Sequence, residues 1–258
     1  MNTCPLTRIL RCAVSITSIT SKGHHLYLQR TIKYCCRHLW YGERILDKPY
    51  IKLSSKPELE NPILIAGFPG VGNVGVISTK LLVETLGAEL FAELYSPALP
   101  DYVAVDANGL CDLLKYSFFW VKVGRDLVIL VGDAQPPIDD IPAYYEVCGD
   151  ILDFVEKIGC EFIITIDGIP ASYSQRRIYV AGTSKSIVLE YTSVGAEIYD
   201  GGRIVGMPGL LLGLAKIRGI KGICLLTTVV DLIADQEAAF NMCRFLRRVL
   251  RIGIEKTI

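Results

Sequence analysis

Apolar residues recur along this chain in two rhythms. Residues 62–67 form a short apolar run closed by a glycine, the pattern of a strand buried on both faces. Helical spacing follows, with Val74, Ile77, Leu81 and Thr85 on one face and Gly87 as the stop. Residues 90–95 read as a second strand, and 102–106, 113–123 and 127–132 as a run of β segments. A helix opens near Pro142, a residue suited to a first turn, and points Cys148, Ile151, Leu152, Val155 and Ile158 inward. Residues 161–167 and 178–181 read as strands, 203–206 lead into a helix over 209–217, and 221–227 read as a further strand. Asp235 caps a last helix, with Gln236 and Glu237 in its first turn.

Apolar strands alternating with helices predict an α/β fold: three layers, a mostly parallel sheet with helices on both faces. The consecutive β segments between 102 and 132 predict an antiparallel part. No repeat or low-complexity run interrupts the pattern, so residues 55–258 read as a single α/β domain.

Composition adds a second division. Of 258 residues, 51% are hydrophobic and 21% charged, which excludes a disordered chain. Lys+Arg and Asp+Glu both number 27, yet residues 1–50 hold eight of the basic residues and two of the acids. That leaves the first fifty at +6 and the rest at −6. Residues 1–42 lack Asp and Glu and carry eight Ser or Thr, a composition shared with organellar transit peptides. Residues 1–54 read as a basic N-terminal extension, disordered or the product of a miscalled start; were it to pack, Leu26, Leu28, Ile32, Leu39 and Trp40 would be buried. Cys35, Cys36 and His38 have no second ligand pair at zinc spacing, so no metal site is expected. No apolar stretch approaches the ~20 residues of a membrane span. Cys111, Cys148, Cys160, Cys224 and Cys243 sit in apolar segments and read as reduced core thiols of a cytoplasmic protein.

Candidate chemistry is sparse. Gly70-Val71-Gly72-Asn73-Val74-Gly75 matches the dinucleotide fingerprint after a strand and before a helix, and Glu93 lies where a ribose-binding acid would fall. On that alternative the loop serves a nucleotide-binding enzyme, ATP-grasp-like or NAD-dependent. Against it, Pro69 sits within the turn and no Lys-Ser/Thr follows, and glycines at such a turn also serve close packing. Gly206-Met207-Pro208-Gly209 is a second glycine turn, with Gly209 and Gly213 spaced for close helix approach. No histidine follows His38, so the domain has no imidazole for base catalysis or metal binding. Asp133 and Asp167 lie just past strands, where α/β sheets place ligand sites and where turns also favour Asp. Arg244, Arg247, Arg248 and Arg251 form one basic stripe on the last helix, opposite Cys243, Leu246, Val249 and Leu250; nucleic acid is a minor alternative for it. A mean hydropathy of +0.37 without a membrane span favours self-association.

From Asn61 onward the chain resembles the proteasome assembly chaperone family, the second eukaryotic assembly chaperone and above all its archaeal homologues. The matching segments are 61–65 running into Gly67-Phe68-Pro69-Gly70-Val71-Gly72-Asn73-Val74-Gly75, then 92–97, Gly132-Asp133-Ala134-Gln135-Pro136, 202–206 with 208–216, and 219–226. The resemblance implies a phosphorylase/hydrolase-like α/β fold without catalysis or cofactor. It also implies self-association, and proteasome subunits or a paralogous chaperone as partners. Pro69, Gly70, Asn73, Asp133, Gln135, Gly206 and Gly209 mark the family loops. The last residues, Glu255-Lys256-Thr257-Ile258, lack the hydrophobic-Tyr-any ending by which some relatives dock.

Overall fold

The computed structural model describes residues 48–171 and 176–252. The N-terminal residues named above and the last four of the chain lie outside the described residues. In chain order the elements are β1 (Tyr50–Leu53), β2 (Ile63–Gly67), a 3-10 turn (Val71–Asn73), α1 (Val74–Leu86), β3 (Glu89–Tyr95), β4 (Val103–Val105), β5 (Cys111–Leu113), β6 (Tyr116–Lys122) and β7 (Asp126–Gly132). There follow α2 (Ile141–Lys157), β8 (Phe162–Pro170), β9 (Ile178–Gly182), α3 (Lys185–Ser193), β10 (Glu197–Ile198), α4 (Met207–Ile217), β11 (Lys221–Val229) and α5 (Gln236–Val249).

Nine strands form one sheet in the order β1-β3-β6-β7-β2-β8-β11-β9-β10. The four central strands, β7, β2, β8 and β11, are parallel. On one side β6, β3 and β1 continue antiparallel, and on the other β9 pairs antiparallel with β11. The sheet is therefore mixed: parallel at its centre, with the antiparallel part that residues 102–132 predict, and with antiparallel pairing at β1 and β9 that the sequence pattern does not predict. The β3–β6 link carries only the β4–β5 hairpin and the β6–β7 link only a turn; neither crosses the sheet with a helix, so each chain reversal gives an antiparallel neighbour.

Side chains alternate between the two faces of the buried strands. Ile63 and Ile65 join Val74, Leu82, Ile187, Met242 and Leu246 beneath α1, α3 and α5. Leu64 and Ala66 join Phe118, Ile151, Leu152 and Leu211 beneath α2 and α4. Helices thus cover both faces, as expected. The sheet begins at Tyr50, inside the stretch that composition assigns to the extension, and Lys52 of β1 pairs with Glu93 of β3.

Two local expectations are corrected. The buried face of α1 is Val74, Gly75, Ser78, Thr79 and Leu82, while Thr85 is exposed. Small residues line that face because the helix lies almost on the strand backbone. A Cβ on Gly67 would stand 2.1 Å from the Gly75 carbonyl oxygen. Thr79 turns its hydroxyl back to that oxygen (2.9 Å), and Ser78 donates to the Ala239 carbonyl of α5 (3.3 Å). Cys111 is exposed on β5, whereas Cys148, Cys160, Cys224 and Cys243 are buried.

Gly213 also departs from its expected role. It sits exposed in α4, and a Cβ there would meet nothing within 4 Å, so no close approach requires it. Gly213→Ala is expected to stabilise the fold by about 0.5–1 kcal/mol, the helix-propensity difference between the two residues. A rise in the urea midpoint at unchanged slope checks it.

Candidate functional site

The carboxyl ends of the parallel strands gather four loops: residues 68–73 after β2, 133–140 after β7, the chain leaving β8, and 230–235 after β11. Pro69, Gly70, Asn73, Asp133, Gln135, Gly206 and Gly209 all lie at this end. Gln135 ties it together. Its amide nitrogen donates to the Pro69 carbonyl, and its amide oxygen accepts from Met207 N–H (2.9 Å) at the start of α4. Gly206 adopts φ +82°, and a Cβ there would meet the Gln135 oxygen at 2.5 Å, so glycine is required twice over. Gly209 admits the carbonyl of Ile204 against the helix (2.3 Å from a Cβ position). Asp133 exchanges two hydrogen bonds with the Lys115 backbone and holds the β6–β7 ends in register.

The glycine loop is filled by the protein itself. Gly72 donates its N–H to the Leu232 carbonyl and accepts from Asp235 N–H, both at 2.9 Å. A Cβ on Gly72 would strike Val229 (2.5 Å) and the Asp231 carbonyl (2.9 Å). Asn73, in the left-handed region at φ +49°, donates from its side chain to the Ile233 carbonyl (2.9 Å). Asp167 occupies the place of an anion: its carboxylate accepts from Gly168 N–H (2.8 Å) and Val71 N–H, and lies 2.7 Å from a Cβ position on Gly70. Burial pushes this carboxyl up to about 6 despite the two amides. The amides and space that a pyrophosphate needs at a helix start are therefore taken by residues 167 and 230–235.

Glu93 is not near this loop. Three strand steps separate β3 from β2, through β6 and β7, and the intervening ladders of β3 are antiparallel. Its buried carboxylate bridges Lys115 (2.6 Å) and Lys52 (3.0 Å), and the Lys115 hydrogen bond, opposed by burial, holds it below the usual carboxylate range. The dinucleotide arrangement predicted on Gly70, Gly72, Gly75 and Glu93 is not assembled, because the strand order puts the acid elsewhere. Gly75 instead serves contact: a Cβ on it would meet Phe68 O, Ile166 O and Phe68 N at 2.8–3.0 Å.

Two features at this end go beyond the sequence reading. Asp235, expected only as a helix cap, accepts from Ala238 N–H (2.9 Å), Val230 N–H (2.8 Å) and Arg176 (2.7 Å). The β4–β5 hairpin projects with both strands exposed. Tyr102, Val103, Val105, Leu110 and Leu113 are each at least 44% exposed on it. Its tip is well formed, with Asp106 accepting from Asn108 N–H (2.8 Å) and Leu110 N–H (2.9 Å). The alternation of apolar residues over 102–113 is visible in the sequence; that neither face is covered is not.

Comparison with known proteins decides the kinship. The PAC2 family model matches residues 64–257. The chain belongs to the PAC2 family. Within it, an uncharacterized protein of Methanocaldococcus jannaschii is 30% identical over 193 residues, 73% of each chain. The crystal structure of Pyrococcus furiosus PbaB, an archaeal proteasome activator, superposes with a TM-score of 0.76 at 35% identity, covering 81% of this chain and 91% of that one. Pyrococcus furiosus PbaA, an archaeal homolog of proteasome-assembly chaperone, gives 0.67 at 27% identity, covering 81% and 88%. The loops of this PAC2 chain over 67–75, 132–136 and 206–209, among those on which the sequence resemblance rests, meet at one end of its sheet. Among its described residues, no helix is long and apolar enough to cross a membrane.

Proposed function

We propose that this protein is a non-enzymatic, cytoplasmic proteasome assembly chaperone that self-associates and binds proteasome subunits or a paralogous chaperone. The observation that carries the proposal is the 35% identity with an archaeal proteasome activator over most of both chains. The functional unit on this reading is the α/β domain of residues 55–258, on a phosphorylase/hydrolase-like scaffold and extended by β1, with the basic N-terminal stretch outside it. No cofactor or nucleic acid enters the reading.

The site chemistry supports it. The glycine loop is closed by the chain's own backbone, and Asp167 neutralises the amides that would draw a phosphate. The β4–β5 hairpin provides what a binding protein needs: a ribbon carrying five large apolar side chains in water. An isolated two-stranded ribbon is marginal in water, and a partner surface would cover it. The hairpin is therefore the contact surface on this reading.

Native mass spectrometry of the protein mixed with archaeal proteasome α subunits tests it. A discrete complex is expected, and Val105→Ser with Leu110→Ser is expected to weaken it by about tenfold or more, through lost apolar burial at unchanged circular dichroism. Absence of any complex across a range of salt concentrations overturns the assignment.

A further inference from the structure

A cleft lies beside the loop cluster, between the middle of α5, the entry to β9 and the turn after α3. Its volume is about 510 Å³, within the range of small-molecule sites. Arg244 and Arg248 line one wall and Arg176 and Arg177 the other, with Glu197 as the single carboxylate among the lining residues. The two walls differ in charge balance. Arg176 is engaged by Asp235 (2.7 Å) and Glu237 (3.0 Å), and Arg177 pairs with Glu197 (3.4 Å). Among the described residues, Arg248 donates only to a neutral group, the Val194 carbonyl at 2.8 Å, and its guanidinium lies 5.2 Å from the centre of the Phe245 ring. Arg244 has no hydrogen bond or ion pair among the described residues. The α5 wall therefore carries two uncompensated positive charges one helical turn apart.

Three details make this a built feature rather than a solvated stripe. Arg248 is pinned by its carbonyl and its ring, so little side-chain freedom remains to be lost on binding. Gly195 has φ +102° and would place a Cβ 3.2 Å from the Arg248 guanidinium, so a glycine at that turn makes room for the arginine. Asn241 lies on the same wall, three residues before Arg244, and adds a neutral donor. Arg244 has Asn241 and Arg248 as its neighbours on the helix face, with Cβ atoms ~5–6 Å from its own, and all three side chains line the cleft.

We propose that this cleft binds a small phosphate-bearing anion, gripped by Arg244 and Arg248 with Asn241 donating to a remaining oxygen. A phosphate offers three peripheral oxygens and close to two negative charges, which matches two guanidinium groups without a countercharge and one amide. A single carboxylate offers two oxygens and one charge and leaves one arginine uncompensated. The proposal is independent of the chaperone reading and uses none of the hairpin residues.

The test is calorimetric titration of the full chain at low ionic strength with inorganic phosphate, pyrophosphate and AMP, with a triglutamate peptide as a fourth arm. Saturable binding of one phosphate compound per chain is expected. Pyrophosphate tighter than AMP marks an inorganic source, and AMP tighter marks a nucleotide source. Arg244→Ala is expected to weaken binding by about tenfold or more at unchanged thermal unfolding, since that side chain supports nothing else in the fold. Arg244→Lys should keep the charge, lose the fork and fall between the two. Arg247→Ala, outside the cleft, should change affinity less than about twofold. Equal weakening by Arg247→Ala, triglutamate binding tighter than every phosphate compound, or no saturable binding at millimolar concentration overturns the proposal.

Discussion

Asp235→Ala is expected to lower the thermal unfolding midpoint by about 10 °C or more. The side chain is 3% exposed and holds two structures at once. One oxygen caps α5 through Ala238 N–H; the other accepts from Val230 N–H and from Arg176. Removing it leaves the Arg176 guanidinium, itself largely enclosed, without its nearest countercharge. Arg176 keeps Glu237 (3.0 Å), so the loss is that of a helix cap and of a buried acceptor for Val230 N–H and Arg176, together ~3 kcal/mol or more. For a domain of this size each kcal/mol moves the midpoint by roughly 2–4 °C. The 230–235 loop should loosen with it, because Asp235 N–H and Leu232 carbonyl are the bonds that close the Gly72 turn. Differential scanning calorimetry decides; a shift under about 3 °C refutes the account.

The same group predicts a pH dependence. Burial raises the Asp235 carboxyl, but the hydrogen bonds from Ala238, Val230 and Arg176 outweigh it and hold the group below the usual carboxylate range. The unfolded chain therefore takes up this proton first as pH falls. The stabilisation is fully present above the ordinary carboxylate pKa and is lost as pH drops through the lowered folded value. The stability difference between wild type and Asp235→Ala should thus shrink in acid and be constant near neutrality.

Gly75→Ala is expected to destabilise the fold although the residue is helical. Two effects oppose each other. Alanine in place of a helical glycine contributes up to ~1 kcal/mol. The added methyl, however, would lie 2.8 Å from Phe68 O and 2.9 Å from Ile166 O, both backbone atoms of the central strands and their exit. Those atoms can retreat only by moving α1 off the sheet, and overpacking of this kind costs ~1–3 kcal/mol or more. The clash wins, and Gly75→Ala should lower the urea midpoint while Gly213→Ala raises it. Equal effects of the two substitutions, measured in parallel, would remove the close-contact explanation of this motif.

The central strands are legible in the sequence because burial on both faces leaves unbroken apolar runs, as at 62–67, 127–132 and 221–227. The last helix is legible from Asp235 and its strong apolar face, buried as Ala239, Met242, Phe245 and Leu246. The short edge strands Tyr50–Leu53 and Glu197–Ile198 are not, since exposed edges carry no apolar signal. Lys185–Ser193 also escapes the pattern: only Ile187 and Tyr191 of that helix are buried, too few to set a period. The α1 face is misleading in the sequence because Gly75, Ser78 and Thr79 do the packing there, and none of them registers as hydrophobic. At the candidate site, the family loops are visible as motifs. Their convergence is not, because it depends on strand order, and strand order also removes Glu93 from the Gly70 loop.

The projecting hairpin separates two properties that most proteins must trade against each other. Its strands bury nothing in the core, so substitutions at Tyr102, Val105 or Leu110 leave the folding free energy near its present value. On the proposed reading, affinity for a partner can therefore be retuned along this ribbon without bringing the chain closer to its stability threshold, the sheet carrying the fold and the ribbon the recognition.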